Sequence, residues 1–173
     1  MAPCSHDYPW SRASASGVIA SGVTASGVSS GGYMAVQLQV AHSATVSGVG
    51  VIAGGPYYCA QGSMFTALYN CMTPGWWTPA PSATFLKTEA NTTAVSGHID
   101  PTKNLAKSRV WLFSGRSDHV VSSQVVEAVR DFYAAYKASV TLVSDKPAGH
   151  GMVTENAGNA CGTTASPFIV HCG

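Results

Sequence analysis

The chain has 173 residues, enough for one domain with a real core; 46% are hydrophobic, 10% are charged, and the net charge is +1. Ordinary soluble chains carry roughly 25% charged residues. With so few charges and no basic run, nucleic-acid binding and acidic-membrane binding lose their physical basis, and no apolar run approaches the roughly 20 residues of a membrane span.

Residues 1–15 are polar, carry Pro3 and Pro9 and lack periodicity, so they predict a poorly ordered leader. The opening MAPCSHDYPW has neither the basic start nor the apolar core of a signal peptide. Secretion, which the low charge and the Gly, Ser and Thr content favour, then implies a chain that begins after its natural N-terminus. A short repeat follows, Ser16-Gly17-Val18, Ser21-Gly22-Val23 and Ser26-Gly27-Val28; its period of five fits neither a helix nor a solenoid. It leads into a strand through Val23 and Thr24.

Gly27-Val28-Ser29-Ser30-Gly31 fits G-x-S-x-G, the sharp strand-to-helix turn that lifts a serine hydroxyl into a cleft. Glycine on either side relieves the crowding that such a turn creates. The context agrees, since residues 33–41 (YMAVQLQVA) contain no Gly or Pro and predict a helix. Residues 45–53 (TVSGVGVIA) predict a buried strand stopped by Gly54-Gly55-Pro56. Residues 63–72 predict a short helix. Residues 73–83 hold Pro74, Pro79 and Pro81 around Trp76 and Trp77 and predict a loop; the two tryptophans read either as an aromatic wall for an apolar substrate or as loop-anchoring core. Residues 84–97 read equally as helix or loop.

Residues 109–114 (RVWLFS) make the strongest strand, followed by a turn that carries Asp118. Ser122 or Ser123 caps an amphipathic helix over residues 124–137, and residues 139–144 (SVTLVS) form another buried strand that opens into Pro147-Ala148-Gly149-His150. Residues 151–173 predict a loop. Buried strands alternating with helices predict a three-layer α/β fold, a parallel sheet of about four strands with helices on both faces. Ligands then bind beyond the carboxyl ends of the strands.

Cys59 with Cys71 and Cys161 with Cys172 form two local pairs, either disulfides of an oxidising compartment or buried thiols; Cys4 is left over. No C-x-x-C occurs, which argues against zinc. Asn91-Thr92-Thr93 is a glycosylation sequon.

Ser29, Asp118 and His150 each follow a predicted strand, in the chain order Ser, Asp, His of α/β-hydrolases. His150 acts as the base that takes the serine proton, Asp118 orients the imidazole and stabilises its charge, and the Ser30 N–H is one oxyanion donor. This chemistry needs no cofactor and no metal. His6, His42, His98, His119 and His171 are rival bases, and Asp100, Asp131 and Asp145 rival acids.

On these residues the chain resembles extracellular poly(3-hydroxybutyrate) depolymerases. The segments that carry the likeness are SGVSSGGYMAVQLQVAHS, VIAGGPYYCAQG, VWLFSGRSDHVV, AGHGMVT and the Cys161-to-Cys172 tail, spread over roughly residues 22–173. The resemblance implies a secreted α/β-hydrolase that cuts polyester with Ser29, Asp118 and His150, in the order of the circularly permuted fungal members. It also implies a departure. The family's further strands, its His-Gly-Cys type loop with the second oxyanion donor, and its binding modules have no counterpart in residues 16–173. Those residues thus read as a partial catalytic domain whose elbow strand has an open edge and which a companion segment completes. Two other outcomes stand beside this one: a carboxylesterase for plant-wall or short-chain esters, and a non-catalytic polymer-binding remnant.

Overall fold

The computed structural model describes residues 22–173. The leader, the first unit of the repeat, Cys4 and His6 lie outside the described residues. The element order is β1 (Val23–Val28), α1 (Ser30–Ala41), β2 (Val46–Ile52), α2 (Met64–Tyr69), α3 (Ala83–Val95), a 3-10 turn (Thr102–Lys107), β3 (Arg109–Phe113), α4 (Ser123–Ala134), β4 (Ser139–Val143), β5 (Met152–Thr154), β6 (Asn159–Ala160) and β7 (Ile169–His171).

The first four strands form one parallel sheet in the order β1-β2-β3-β4. Each crossover therefore steps in the same direction. Right-handed crossovers, the rule for parallel strands, then deliver every connecting helix to the same face. The packing agrees. α1 lies on β1 and β2, α4 on β3 and β4, and α3 on α4. Val36 and Val40 of α1, Val49 and Val51 of β2, Val110 and Leu112 of β3, and Val129 and Phe132 of α4 share one buried cluster.

The fold class is thus α/β as expected, but the helices of the described residues cover one face rather than both. The other face exposes Thr24, Ser26, Arg109, Ser139 and Thr141, with Trp111 at 42% exposure, around Gly48 and Gly50. Strand β1 is the outer strand on its side of the sheet.

A polar cluster sits within this apolar layer. Gln39 is fully buried; its Nε2 donates to the Val46 carbonyl (3.2 Å) and to Ser108 Oγ (2.7 Å), while its Oε1 accepts from the Tyr133 hydroxyl (2.8 Å). Three elements and the entry to β3 are pinned together, and no buried polar side-chain atom among the described residues lacks a partner.

Local chemistry sets the helix starts. Ser63, Ser82 and Ser122 cap α2, α3 and α4, accepting from the N–H of Thr66, Phe85 and Gln124. Residues 84–97, undecided between helix and loop, fall mostly within α3. Residues 151–173, expected to be loop, instead contain a small parallel sheet in the order β5-β7-β6. Its strands of two or three residues are too short to show a period of two. The cysteines form two disulfides, Cys59–Cys71 and Cys161–Cys172, rather than buried thiols.

Candidate active site

Ser29 stands between β1 and α1 with φ 54° and ψ −124°, a conformation that costs a non-glycine residue about 1–3 kcal/mol. The sheet holds it there: the Ser29 N–H donates to the Ile52 carbonyl (2.9 Å), and the Tyr33 N–H donates to the Ser29 carbonyl (3.1 Å). Ser29 occupies the cap position of α1, yet its hydroxyl makes no capping bond. The oxygen that other helix starts use on their own backbone is left for the cleft. Ser30 is the first helical residue and is exposed; its N–H has no intrahelical acceptor and lies at the positive end of α1.

The two glycines of the motif differ in what they do. A Cβ on Gly27 would overlap the Gly31 carbonyl group and lie 2.8 Å from the Gly32 nitrogen, all backbone. A Cβ on Gly31 would meet nothing within 4 Å. Only the first glycine is demanded by crowding in the turn.

Asp118 lies in the turn after β3. Its Oδ1 accepts from the N–H groups of Val120 (2.8 Å) and Val121 (2.9 Å), and its Oδ2 lies 2.9 Å from His150 Nδ1. The side chains are 1% and 8% exposed. Burial pushes the Asp118 carboxyl up, but the hydrogen bonds from His150, Val121 and Val120, with the attraction of the imidazole, outweigh it and hold the group below the usual carboxylate range. A carboxylate fixed at Nδ1 selects the tautomer that leaves Nε2 as the basic nitrogen.

His150 is fixed through its backbone as well. Its N–H donates to Thr164 Oγ1 (2.9 Å), and the Gly149 N–H donates to the Cys161 carbonyl (2.8 Å). The Asp118 turn is laced to the same loop: the N–H of Ser117 donates to the Ala148 carbonyl (3.0 Å). A Cβ on Gly149 would strike the Thr163 carbonyl, which is why the loop can press so close to the tail. The tail read from sequence as plain loop is thus what holds the imidazole.

Ser29 opens into an apolar cavity of about 370 Å³ lined with Ser30 by Tyr33, Met34, Ala60, Ala67, Met72 and Val121. Val121 connects that cavity to Asp118, because its N–H donates to the carboxylate. Trp76 and Trp77 are not core; each is 89% exposed, and neither lines the Ser29 cavity. Met64, Phe65, Leu68 and Tyr69 of α2 are exposed too.

The rival residues are otherwise engaged or exposed. His119 is exposed and lines a polar cavity together with Arg116, Asp118 and Glu127. His42 ends α1, and His98 and His171 are exposed. Asp100 accepts from the Ala44 N–H, Asp131 pairs with neighbouring Arg130 on the surface, and Asp145 is exposed. Asn91 lies inside α3, where its Oδ1 accepts from the hydroxyls of Thr102 and Tyr136. Sequence reasoning missed Thr164, Tyr33 and the Val120–Val121 amides. The Val120 amide had a signal, since an aspartate in a turn commonly accepts from the backbone N–H two residues on, an Asx turn.

Among the described residues no group of three or more His, Cys, Asp and Glu is arranged to hold a metal ion, and no helix is long and apolar enough to cross a membrane.

No family model matches the chain. It is 49% identical over 146 residues to a poly(3-hydroxybutyrate) depolymerase of Delftia acidovorans, covering 82% of this chain and 28% of that protein. It is 36% identical over 148 residues to a polyhydroxybutyrate depolymerase of Talaromyces funiculosus, covering 82% of this chain and 41% of that one. The crystal structure of the PHB depolymerase from Penicillium funiculosum superposes with a TM-score of 0.73 at 32% identity, over 87% of this chain and 47% of its own. A serine-to-alanine PHB depolymerase complexed with R3HB trimer superposes equally well, with 46% of its chain covered. The chain therefore spans less than half the length of these relatives. The parallel sheet and its structural neighbours define an α/β-hydrolase fold. Within it, the chain belongs to the poly(3-hydroxybutyrate) depolymerase family.

Proposed function

We propose that the chain is a serine esterase that cleaves poly(3-hydroxybutyrate)-type polyester or its oligomers, and that it acts from a secreted location. The observation that carries the reading is the Asp118–His150 pair, 2.9 Å apart, in a chain whose first strand ends at a serine held in a strained elbow with no capping bond from its hydroxyl.

The steps follow from the chemistry of the groups. His150 Nε2 takes the Ser29 proton as Oγ attacks the ester carbonyl. The resulting imidazolium is stabilised by Asp118, which stays a carboxylate. The oxyanion is met by the Ser30 N–H at the start of α1. His150 then returns the proton to the departing alcohol, leaving an acyl group on Ser29. Water, activated by the same imidazole, releases the acid. The apolar cavity beside Ser29 suits an aliphatic acyl chain. Exposed Trp76 and Trp77, with the apolar face of α2, suit contact with a polymer surface.

Among the described residues β1 has no strand on its outer side and one sheet face carries no helix; both support a companion segment that completes the sheet and carries the second oxyanion donor. They also favour a second reading, a polymer-binding unit without turnover. Hydrolysis of a 3-hydroxybutyrate oligomer by the purified chain, beside Ser29→Ala, separates the two. Acid release by the wild type alone supports the esterase. A folded wild type as silent as the variant supports the binding unit.

A further inference from the structure

Residues 59–72 form the outer wall of the Ser29 cavity, yet little packing holds them. The helix inside this segment, α2, has no buried residue, and Met64, Phe65, Leu68 and Tyr69 face outward. Besides a bond from Asn70 Nδ2 to the Pro79 carbonyl in the following loop (2.8 Å), three anchors take the place of a core. The first is the Cys59–Cys71 disulfide, with both cysteines buried. The second is a hydrogen bond from the Ser122 N–H to the Met72 carbonyl (2.8 Å). The third is a hydrogen bond from the Tyr33 hydroxyl to the Cys71 carbonyl.

Those bonds join into one path. Tyr33 sits one helical turn after Ser29 and bonds to its carbonyl. Its hydroxyl reaches Cys71. The next residue, Met72, is held by Ser122. Val121, beside Ser122, holds the Asp118 carboxylate. The elbow and the acid turn are therefore connected through the wall of the cavity rather than only through the sheet beneath. The Tyr33 ring lies against Gly55, where a Cβ would overlap it. Burial, with the negative charge of Asp118, pushes the phenol well above its ordinary value, so it remains a hydrogen-bond donor throughout the working range.

We infer that Tyr33 is a positioning and specificity-determining residue, whose hydroxyl fixes the Cys71–Met72 backbone and thereby sets the width of the cavity that receives the acyl group. The inference rests on the proposed esterase reading of that cavity. Tyr33→Phe keeps the ring and its packing and removes only the donor. The freed wall lets larger acyl groups enter and holds small ones less well.

The test compares wild type, Tyr33→Phe and Tyr136→Phe. The last removes a hydrogen-bonded phenol hydroxyl from the chain that follows α4, outside the cavity lining. Two quantities are read: kcat/KM for p-nitrophenyl butanoate and octanoate, and amide hydrogen exchange over residues 59–72 and Ser122. The inference expects the butanoate-to-octanoate preference to fall about five- to tenfold in Tyr33→Phe, the scale of one hydrogen bond or methylene in a pocket. Exchange in the wall segment should quicken, with both readouts unchanged in Tyr136→Phe. An unchanged preference with unchanged exchange overturns it, and so does a uniform loss on both esters matched by Tyr136→Phe. If the wild type turns over neither ester, the esterase reading falls, and quickened exchange still decides whether Tyr33 holds the wall.

Discussion

Gly27→Ala and Gly31→Ala set the two glycines of the elbow against each other. A methyl group on residue 27 would overlap the Gly31 carbonyl and stand 2.8 Å from the Gly32 nitrogen. These are backbone atoms at the start of α1, so no side chain can swing away. Overpacking of this kind costs about 1–3 kcal/mol, and a value near 3 kcal/mol is expected where only backbone can yield. For a domain of this size that is a fall of roughly 6–12 °C in Tm. Relief comes from moving the first turn of α1 away from β1, which carries Ser29 with it. A displacement near 1 Å costs on the order of 10²-fold in rate. On residue 31 the same methyl meets open space, and alanine suits a helix better than glycine, so Tm should hold or rise by roughly 1–3 °C. Thermal unfolding followed by circular dichroism, with the rate of Ser29 labelling by a fluorophosphonate, checks both. Equal losses in the two variants, or a Gly27→Ala chain as stable as the wild type, would refute the reasoning.

Three further outcomes follow from the same geometry. Gln39→Ala orphans the Tyr133 hydroxyl and opens a void under α1; a loss of about 3 kcal/mol in chemical denaturation is expected, larger than for Tyr133→Phe. Thr164→Val removes the acceptor of the His150 N–H and should lower kcat about tenfold at nearly constant KM, while Thr164→Ser restores it. Because Asp118 is held below its ordinary pKa of about 3.9, it contributes stability that is present above that value and lost as pH falls through its folded value. The stability gap between wild type and Asp118→Asn should therefore be wide at pH 7 and narrow towards pH 3; a gap independent of pH contradicts the assignment.

Much of the fold was legible because its signals are local. The apolar run at residues 109–114 became β3; of the expected apolar face Val125, Val126, Val129, Phe132, Tyr133 and Tyr136, the first five became the buried face of α4, while Tyr136 lies beyond the helix end and is partly buried. The layering was less so, because buried runs alone do not give strand order. A trace of it was present in the polar alternation of Thr24 and Ser26 in β1 and of Ser139 and Thr141 in β4, which mark one uncovered face. The strand-to-helix turn at Ser29 and the pairing of Asp118 with His150 were within reach of the sequence, since the turn closes β1 and the other two residues lie in the loops that follow β3 and β4. What holds them was not. Thr164 and Tyr33 act through contacts set by the tertiary fold, and the strands of the tail are too short to carry a pattern. Gly31 shows the converse limit: a motif position that fits the pattern without the crowding the pattern is usually taken to relieve.

The central claim is that His150 and Asp118 make Ser29 a nucleophile. Mass spectrometry of the intact chain after fluorophosphonate treatment tests it most directly, with Ser29→Ala and His150→Ala alongside. The account predicts one adduct on the peptide carrying Ser29, absent from Ser29→Ala and slowed at least 10²-fold in His150→Ala. A folded chain that takes no label, or that is labelled at another residue, would contradict it.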